Sequence, residues 1–338
     1  MQRRSFLKLV AASTSLVAVP VFAKPLNFLL DRDAPAGLDK TGKKRLTQAV
    51  LGTLKTHFGD RPLQFWDRPL SQIDMEKRLT NIVHWVDVSV REHQALYSVD
   101  PLWVMGQIMA ESLFYEFAIS PSLAGGICQF MPSTATQGYQ MIVAGSLPEH
   151  HRPPYRKPEL ADALEQYRAR ASERERYRKE SAGDAPFTLS KALAWMADGR
   201  DGKALALKQI SREKRIDAIN ETVQSARKDY IDYLQANITE LGHSDIFKYS
   251  DFFRGFDERF TYRKPINAMV HMLANSLRVR NGNILAAAAA YNAGLSNTFS
   301  REVLYTQYGT LPNISETSTY VSRILANYEE IAQRFYEG

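Results

Sequence analysis

Residues 110–135 read AESLFYEFAISPSLAGGICQFMPSTA and place one carboxylate, Glu111, near the end of an otherwise apolar helix. Asp100-Pro101 begins this helix, because aspartate caps free backbone amides and proline favours the first helical position. Helical spacing puts Glu111 on the same stripe as Ile108. The helix is apolar nearly all round, which predicts that it is buried.

A glutamate in this setting is a candidate general acid. No Lys or Arg lies within one helical turn of Glu111 in the sequence, so loss of hydration is expected to raise its pKa. The raised pKa keeps the acid protonated near neutral pH, as a general acid requires.

The helix is predicted to run to about Phe117. After it, the Gly125-Gly126 pair is predicted to let the backbone approach a bound ligand closely.

Further short motifs follow Glu111-Ser112 in a fixed order. They are Ser120-Pro121, Gly126-Ile127-Cys128-Gln129-Phe130-Met131-Pro132 with Thr134-Ala135, and, far downstream, Ala290-Tyr291-Asn292-Ala293-Gly294. In this order they resemble the motifs of the soluble lytic transglycosylase (SLT) domain family, over about residues 85–138 and 255–335. The resemblance implies a mainly helical, lysozyme-like fold that cleaves the β-1,4 bond between N-acetylmuramic acid (MurNAc) and N-acetylglucosamine (GlcNAc) in peptidoglycan.

The resemblance also implies roles for individual residues. Glu111 is expected to act first as acid and then as base. The substrate itself is expected to supply the nucleophiles: its N-acetyl oxygen attacks the anomeric carbon, and its 6-hydroxyl then closes the ring to give 1,6-anhydromuramoyl products. The motif Glu316-Thr317-x-x-Tyr320-Val321 resembles the last motif of the family, although Tyr320 could instead be a surface tyrosine at a helix start. The implied substrate-binding residues are Ser112, Ser120, Gln129, Tyr291, Asn292 and Tyr320.

Most enzymes that cleave glycosidic bonds use two carboxylates. Asp100 is occupied as a helix cap, and Glu116 is rotated away from the Glu111 face, so neither is an obvious partner. This favours a mechanism in which Glu111 alone acts as acid and then as base. Two alternatives stay open: a hydrolytic muramidase similar to goose-type lysozyme on the same fold, and a wall-binding accessory protein of a secretion or conjugation apparatus.

The composition is that of a soluble globular protein of 338 residues, with 44% hydrophobic and 24% charged residues. The seven histidines are scattered and form no known ligand motif, so neither a metal site nor a cofactor is expected. Cys128 is the sole cysteine, which excludes an intrachain disulfide, and a buried structural thiol is the favoured interpretation.

The first 23 residues predict a cleaved export signal, with Arg3-Arg4 resembling a twin-arginine motif and an ordinary secretory signal as the alternative. The expected location is the periplasm of a Gram-negative bacterium. Without Arg3, Arg4 and Lys8, the 43 basic residues become 40, against 37 acidic residues, which leaves a net charge of +3. This small charge gives no reason to expect nucleic-acid binding, and no later apolar run is long enough to span a membrane.

Four regions are predicted along the chain: the signal at 1–23, a lead-in at 24–70 that is mobile up to Arg45, the lysozyme-like domain at 71–138 and 249–338, and a helical insertion at 139–248. Long helices from about Leu160, and from Lys203 to about Leu241, predict a helical hairpin within the insertion. Its charged surface is either merely solvated or an arm that docks a protein partner or a glycan. Other helices are expected at 46–57, 71–98, 265–277 and 317–335.

Overall fold

The computed structural model describes residues 28–181, 188–200, 202–240, 246–301 and 306–337. The predicted export signal lies outside these residues. The chain divides into two compact units. Of the residues described, the first unit contains those up to Met141 and those from Ser250 onward, and the second contains those within Ile142–Tyr249.

The first unit is built from seven helices among the residues described, joined by short turns. A pair of two-residue antiparallel strands, β1 (Pro62–Leu63) and β2 (Arg68–Pro69), follows its first helix. The helices are α1 (Lys40–Phe58), α2 (Met75–His93), α3 (Pro101–Ser112), α7 (Ser250–Phe256), α8 (Arg263–Val279), α9 (Ile284–Ala293) and α10 (Ser315–Glu337).

Helix α1 begins earlier than the sequence pattern predicts. The expectation of a mobile lead-in up to Arg45 is wrong, because α1 already starts at Lys40. Asp39 caps it by accepting a 2.6 Å hydrogen bond from the Gly42 amide. Leu46, which the prediction took as the first helical residue, is fully buried within α1.

Helix α3 ends sooner than predicted. It stops at Ser112 and does not continue to Phe117, because Leu113 and Phe114 adopt left-handed backbone angles with φ of 50° and 61°. Asp100 is its cap, as predicted, and accepts a 2.8 Å hydrogen bond from the Leu102 amide. The early stop leaves Glu111 in the last turn of the helix.

Helix α10 packs directly on α3. A Cβ at Gly106 would lie 3.1 Å from the backbone nitrogen of Tyr328, so the absence of a side chain lets the two backbones approach closely. Asn327 donates a 3.0 Å hydrogen bond to the Gly106 carbonyl, and the Tyr328 hydroxyl donates one of 3.0 Å to Asp100. These contacts fix the register of α10 along α3.

The second unit is a helical hairpin with one additional helix. Its helices are α4 (Ala163–Glu180), α5 (Leu189–Ala197) and α6 (Gly202–Glu240), and α4 packs along α6 as predicted. The buried hydroxyls of Tyr230 and Tyr233 donate hydrogen bonds of 3.1 and 2.9 Å to the Ala144 and His150 carbonyls. By contrast, α5 has no buried residue.

The prediction of a mainly helical chain is confirmed. Within the ranges that the structure describes, no helix combines the length and apolarity that crossing a bilayer requires. The core of the first unit is apolar and continuous through α2, α3, α8 and α9, whose inward residues are almost wholly buried. A groove opens on this unit beside its core.

Candidate active site

A groove of about 680 Å³ opens on the first unit. The chain segment around β1, the end of α3, the turn that follows it, the end of α9 and the first half of α10 all contribute to its walls. Six of the predicted site residues line this groove, namely Glu111, Ser120, Gln129, Tyr291, Asn292 and Tyr320.

Glu111 projects into the groove from the last turn of α3. Burial raises the pKa of Glu111 from its ordinary 4.5 to about 7, whereas a hydrogen bond from Tyr320 and the positive charge of Arg323 lower it by less. The sequence expectation of a raised pKa therefore agrees with the structure, which also brings the positive charge of Arg323 near Glu111 from a distant part of the chain. Near neutral pH the carboxyl group is divided between its two protonation states, so it is suited both to give and to take a proton.

Tyr320 holds the Glu111 carboxyl group. Its hydroxyl donates a 2.5 Å hydrogen bond to Oε1 of Glu111. The Tyr320 side chain is only 3% exposed, so the alternative of a surface tyrosine is wrong. Burial and the charge of Glu111 raise the pKa of Tyr320 well above its ordinary value, which keeps the hydroxyl protonated as a donor.

Gln129 is fixed in the turn that follows α3. Its side-chain nitrogen donates hydrogen bonds of 3.2 and 2.9 Å to the carbonyls of Ala118 and Gly126. The backbone around it is closed by the paired hydrogen bonds between Gly125 and Phe130. The amide is therefore held in place at the groove wall before any ligand binds, which lowers the entropy cost of recognition.

Gly126 has a different role from the one predicted. Its φ is +78°, and a Cβ there would lie 1.7 Å from the Arg259 carbonyl oxygen. The glycine is thus required by the close approach of a neighbouring backbone, not of a bound ligand. Arg259 is itself fully buried, pairs with Asp257 at 2.7 Å and donates to the Leu123 carbonyl at 2.9 Å, so it supports the turn from behind.

Tyr291 and Asn292, at the end of α9, make hydrogen bonds to the turn after α3 and to α10. The Tyr291 hydroxyl donates a 2.7 Å hydrogen bond to the carbonyl of Cys128, and Oδ1 of Asn292 accepts one of 2.8 Å from Thr317. These bonds tie the turn to α9 and α9 to α10. Cys128 itself is buried and unpaired, as expected of a structural thiol.

The two predicted serines lie in different environments. Ser120 lines the groove, and its oxygen accepts a 3.0 Å hydrogen bond from the Ala124 amide. Ser112, in contrast, is fully buried, does not line the groove and donates a 2.9 Å hydrogen bond to the Ile127 carbonyl. The prediction that Ser112 contacts substrate is corrected, because in this structure its hydroxyl braces α3 against the turn.

Several groove residues were missed by the sequence analysis. Glu316, Arg323 and Asn327 line the groove on the same face of α10 as Tyr320. Their spacing of three to four residues around Tyr320 was visible in the sequence and was the signal that could have found them. The residues around β1, including Arg61 and Phe65, carried no such signal and were treated as lead-in.

The remaining acidic groups discussed above are occupied elsewhere. Glu116 is fully buried and pairs with Arg78 at 3.1 Å, and Asp100 caps α3, so neither lines the groove. Glu316 is therefore the other carboxylate that lines the groove among the residues described. No cluster of three or more metal-ligating side chains occurs in that same part of the chain.

The fold and the site together define a mainly helical protein with a glutamate of raised pKa in an open groove lined by amide and hydroxyl groups. Such an arrangement is suited to cleavage of a glycan, because an acid of raised pKa protonates the leaving oxygen while hydrogen-bonding groups orient the sugars. The chemistry of the site thus points to an enzyme that acts on polysaccharide.

The family model described as "Transglycosylase SLT domain" matches residues 89–157. This stretch of the chain is therefore similar to a transglycosylase SLT domain, the domain of the lytic transglycosylase-type family that degrades peptidoglycan, and the predicted resemblance and mainly helical, lysozyme-like fold class are confirmed. The match includes Glu111 and Gln129 and extends beyond residue 138, into the predicted insertion. No curated protein and no solved structure matches the chain.

Proposed function

We propose that this protein is a peptidoglycan lytic transglycosylase that cleaves the MurNAc-β-1,4-GlcNAc bond without water and leaves 1,6-anhydromuramoyl ends. The observation that supports this most strongly is Glu111, with a pKa of about 7, held by Tyr320 in the groove. A carboxyl group balanced between its protonation states is suited to a reaction that needs an acid and then a base.

In the first step, protonated Glu111 gives its proton to the glycosidic oxygen as the bond to the MurNAc anomeric carbon breaks. The N-acetyl oxygen of the same MurNAc attacks that carbon, and GlcNAc leaves with a new 4-hydroxyl. In the second step, ionised Glu111 takes the proton of the MurNAc 6-hydroxyl, whose oxygen displaces the N-acetyl oxygen. The acid is regenerated, and no water is consumed.

The groove residues have separate parts in this proposal. Tyr320 stabilises Glu111 while it is ionised between the two steps, because a hydroxyl donor favours the charged carboxylate. Gln129, Ser120, Tyr291 and Asn292 position the N-acetyl sugar for attack on its own anomeric carbon. Positioning of this kind supplies roughly several kcal/mol of a reaction barrier.

The test uses purified protein without its first 23 residues and isolated peptidoglycan sacculi. The wild type is expected to release anhydromuropeptides, identified by mass spectrometry. Products that are one water heavier would contradict the anhydro reaction, and an absence of any products from folded protein would contradict the enzyme assignment.

A hydrolytic muramidase is the second candidate, and Glu316 favours it. This carboxylate lines the groove four residues before Tyr320 on α10 and could act as the base that activates water. If the enzyme were a muramidase, Glu316→Gln would abolish activity and wild-type products would carry reducing ends. The anhydro route predicts that Glu316→Gln retains most of the activity.

We also propose that the protein works in the periplasm after export, and that the second unit recruits it to a protein partner. The exposed stripe Leu189, Leu193 and Met196 of α5, with exposures of 75%, 56% and 70%, supports this docking role. The test is a pull-down comparing wild type with Leu193→Glu/Met196→Glu. Leu311→Glu, an exposed apolar residue of the first unit, is the matched control. Equal recovery of partners by the stripe variant would contradict docking.

A further inference from the structure

Arg323 is a groove-lining cation that has no hydrogen-bond or ion-pair partner among the residues that the structure describes. It lies one helical turn beyond Tyr320 on α10 and is half-buried. Its Nε is shielded from solvent, and its guanidinium makes no hydrogen bond or ion pair with any residue that the structure describes. The other arginine of α10, Arg334, instead donates a 2.7 Å hydrogen bond to Thr56.

The other basic side chains of the groove are already engaged. Arg61 donates to the carbonyls of Phe58, at 3.3 Å, and His57. The ring of His57 lies 2.8 Å from the carboxylate of Glu330. Arg323 is thus distinguished from its neighbours by donors that remain available inside the groove.

Glu111 does not act as a counter-ion for the Arg323 guanidinium. The positive charge of Arg323 is close enough to lower the pKa of Glu111, yet no ion pair forms between the two side chains. In the proposed reaction Glu111 is also neutral when the substrate binds, because it must be protonated for the first step. A partly buried charge left without a counter-ion is costly, so the site favours a ligand that brings one.

The guanidinium donors form a planar fork that matches a carboxylate in two-point geometry. Glycan hydroxyls and amides offer no negative charge, whereas peptidoglycan carries carboxylates beside the sugar. They occur on the lactyl group of a MurNAc that has lost its stem peptide, and on the stem peptide itself. Either source presents the same chemical group next to the reacting sugar.

We propose that Arg323 binds a carboxylate of the peptidoglycan strand next to the sugar on which Glu111 acts, and so selects substrates that carry one. This inference rests on the proposed function of the groove. Arg323 is then a specificity-determining residue, and the charge it brings to the groove is neutralised only when the correct strand is bound.

Binding measurements test this without relying on turnover. The protein is the full mature chain carrying Glu111→Gln, with and without Arg323→Gln, and the ligands are soluble strand fragments in three forms. The first retains its stem peptides, the second has been stripped by an amidase to free lactyl carboxylates, and the third is the stripped form with its carboxylates converted to amides.

Arg323→Gln is expected to weaken binding of the carboxylate-bearing fragments at least tenfold and to leave binding of the amidated fragment unchanged. If the protein that retains Arg323 binds the stripped fragment more tightly than the stem-bearing fragment, the carboxylate that it recognises is that of the lactyl group. If it binds the stem-bearing fragment more tightly, the carboxylate is on the stem peptide. Arg323→Lys retains the charge without the fork and should restore part of the affinity. Arg334→Gln is the matched control and should bind like its parent.

An equal loss of affinity for carboxylate-bearing and amidated fragments would overturn the inference, as would no loss for either. Both outcomes leave the proposed function intact if the wild type still releases anhydromuropeptides from sacculi. Circular dichroism of each variant confirms that it is folded, and the Lys variant provides a second test should the Gln variant not fold.

Discussion

The Tyr320 hydroxyl donates a 2.5 Å hydrogen bond to Oε1 of Glu111, although 209 residues separate the two in sequence. The bond lies at the short end of the range for O–H···O hydrogen bonds. Burial favours the neutral form of Glu111 and this bond favours the ionised form, so the two effects oppose each other and leave its pKa at about 7. The protonation balance at the site is thus set by a contact between α3 and α10.

Glu111→Gln should abolish anhydromuropeptide release while preserving the fold, because glutamine retains the shape and the hydrogen-bond acceptor but has no proton to transfer. General acid–base catalysis contributes roughly 10² to 10⁴ in rate, and here one residue performs both steps. The measurement is product release from sacculi by mass spectrometry. Glu329→Gln, an exposed position on α10, is the control. Substantial activity in the Glu111 variant would remove Glu111 from the mechanism.

The same substitution should stabilise the protein in mildly alkaline solution. Because the pKa of Glu111 is about 7 in the folded state against an ordinary 4.5, the folded state binds more protons than the unfolded state between these values. Wild-type stability therefore falls as the pH rises through this window and stays reduced above it. Glu111→Gln should unfold with a free energy about 2 kcal/mol higher than wild type near pH 8, and with no such gain near pH 4.

Urea unfolding of both proteins at the two pH values measures this difference. A gain that is the same at both pH values would show that the substitution acts through packing and not through the titration of Glu111.

Tyr320→Phe should move the alkaline limb of the pH–rate profile to higher pH. The Tyr320 hydrogen bond lowers the pKa of Glu111, so its loss raises that pKa above about 7 and keeps the acid protonated over a wider range. Activity at the optimum should fall about tenfold, since a hydrogen bond to a charged group is worth about 1.5 kcal/mol. The measurement is kcat/KM against pH.

Tyr328→Phe is the matched control, because it removes a hydroxyl of α10 that bonds to Asp100 and not to the groove acid. Its alkaline limb should coincide with that of the wild type. An unmoved limb in Tyr320→Phe would mean that the hydroxyl does not set the protonation balance of Glu111.

Gly126→Ala should destabilise the first unit by about 3 kcal/mol or more, because its new Cβ meets the Arg259 carbonyl and its φ is positive. Gly59→Ala separates these two effects. Gly59 also has a positive φ, of +54°, but nothing lies within 4 Å of the place a Cβ would occupy there, so it should lose only about 1 to 2 kcal/mol. Thermal unfolding compares the two, and equal losses would contradict the importance of the close backbone approach.

The elements predicted well from the sequence were those with local signals. Asp100-Pro101 marks the start of α3, and the apolar surroundings of Glu111 foretell a raised pKa, because capping and desolvation depend on nearby residues. The order of the motifs led to the SLT domain. These inferences needed no knowledge of how distant segments meet.

The errors arose where distant segments meet. The Gly126 turn faces the Arg259 backbone, and the charge of Arg323 on α10 acts on Glu111. Both relationships join residues more than a hundred positions apart. Ser112 shows the limit of a motif, which identifies a residue but not the direction of its side chain. The end of α3 was misplaced because Leu113 and Phe114 adopt left-handed angles, which their residue types do not suggest.

The dependence of Glu111 on α10 also sets when the site forms during synthesis. A nascent chain that has left the ribosome only as far as α9 contains the acid and the glycine turn but lacks the Tyr320 hydroxyl. Its α3 is also without the helix that covers it, since the Gly106 contact with Tyr328 has not formed. The candidate site is therefore complete only after α10 has been synthesised, and a chain that ends before α10 carries the acid without the tyrosine that donates a hydrogen bond to it.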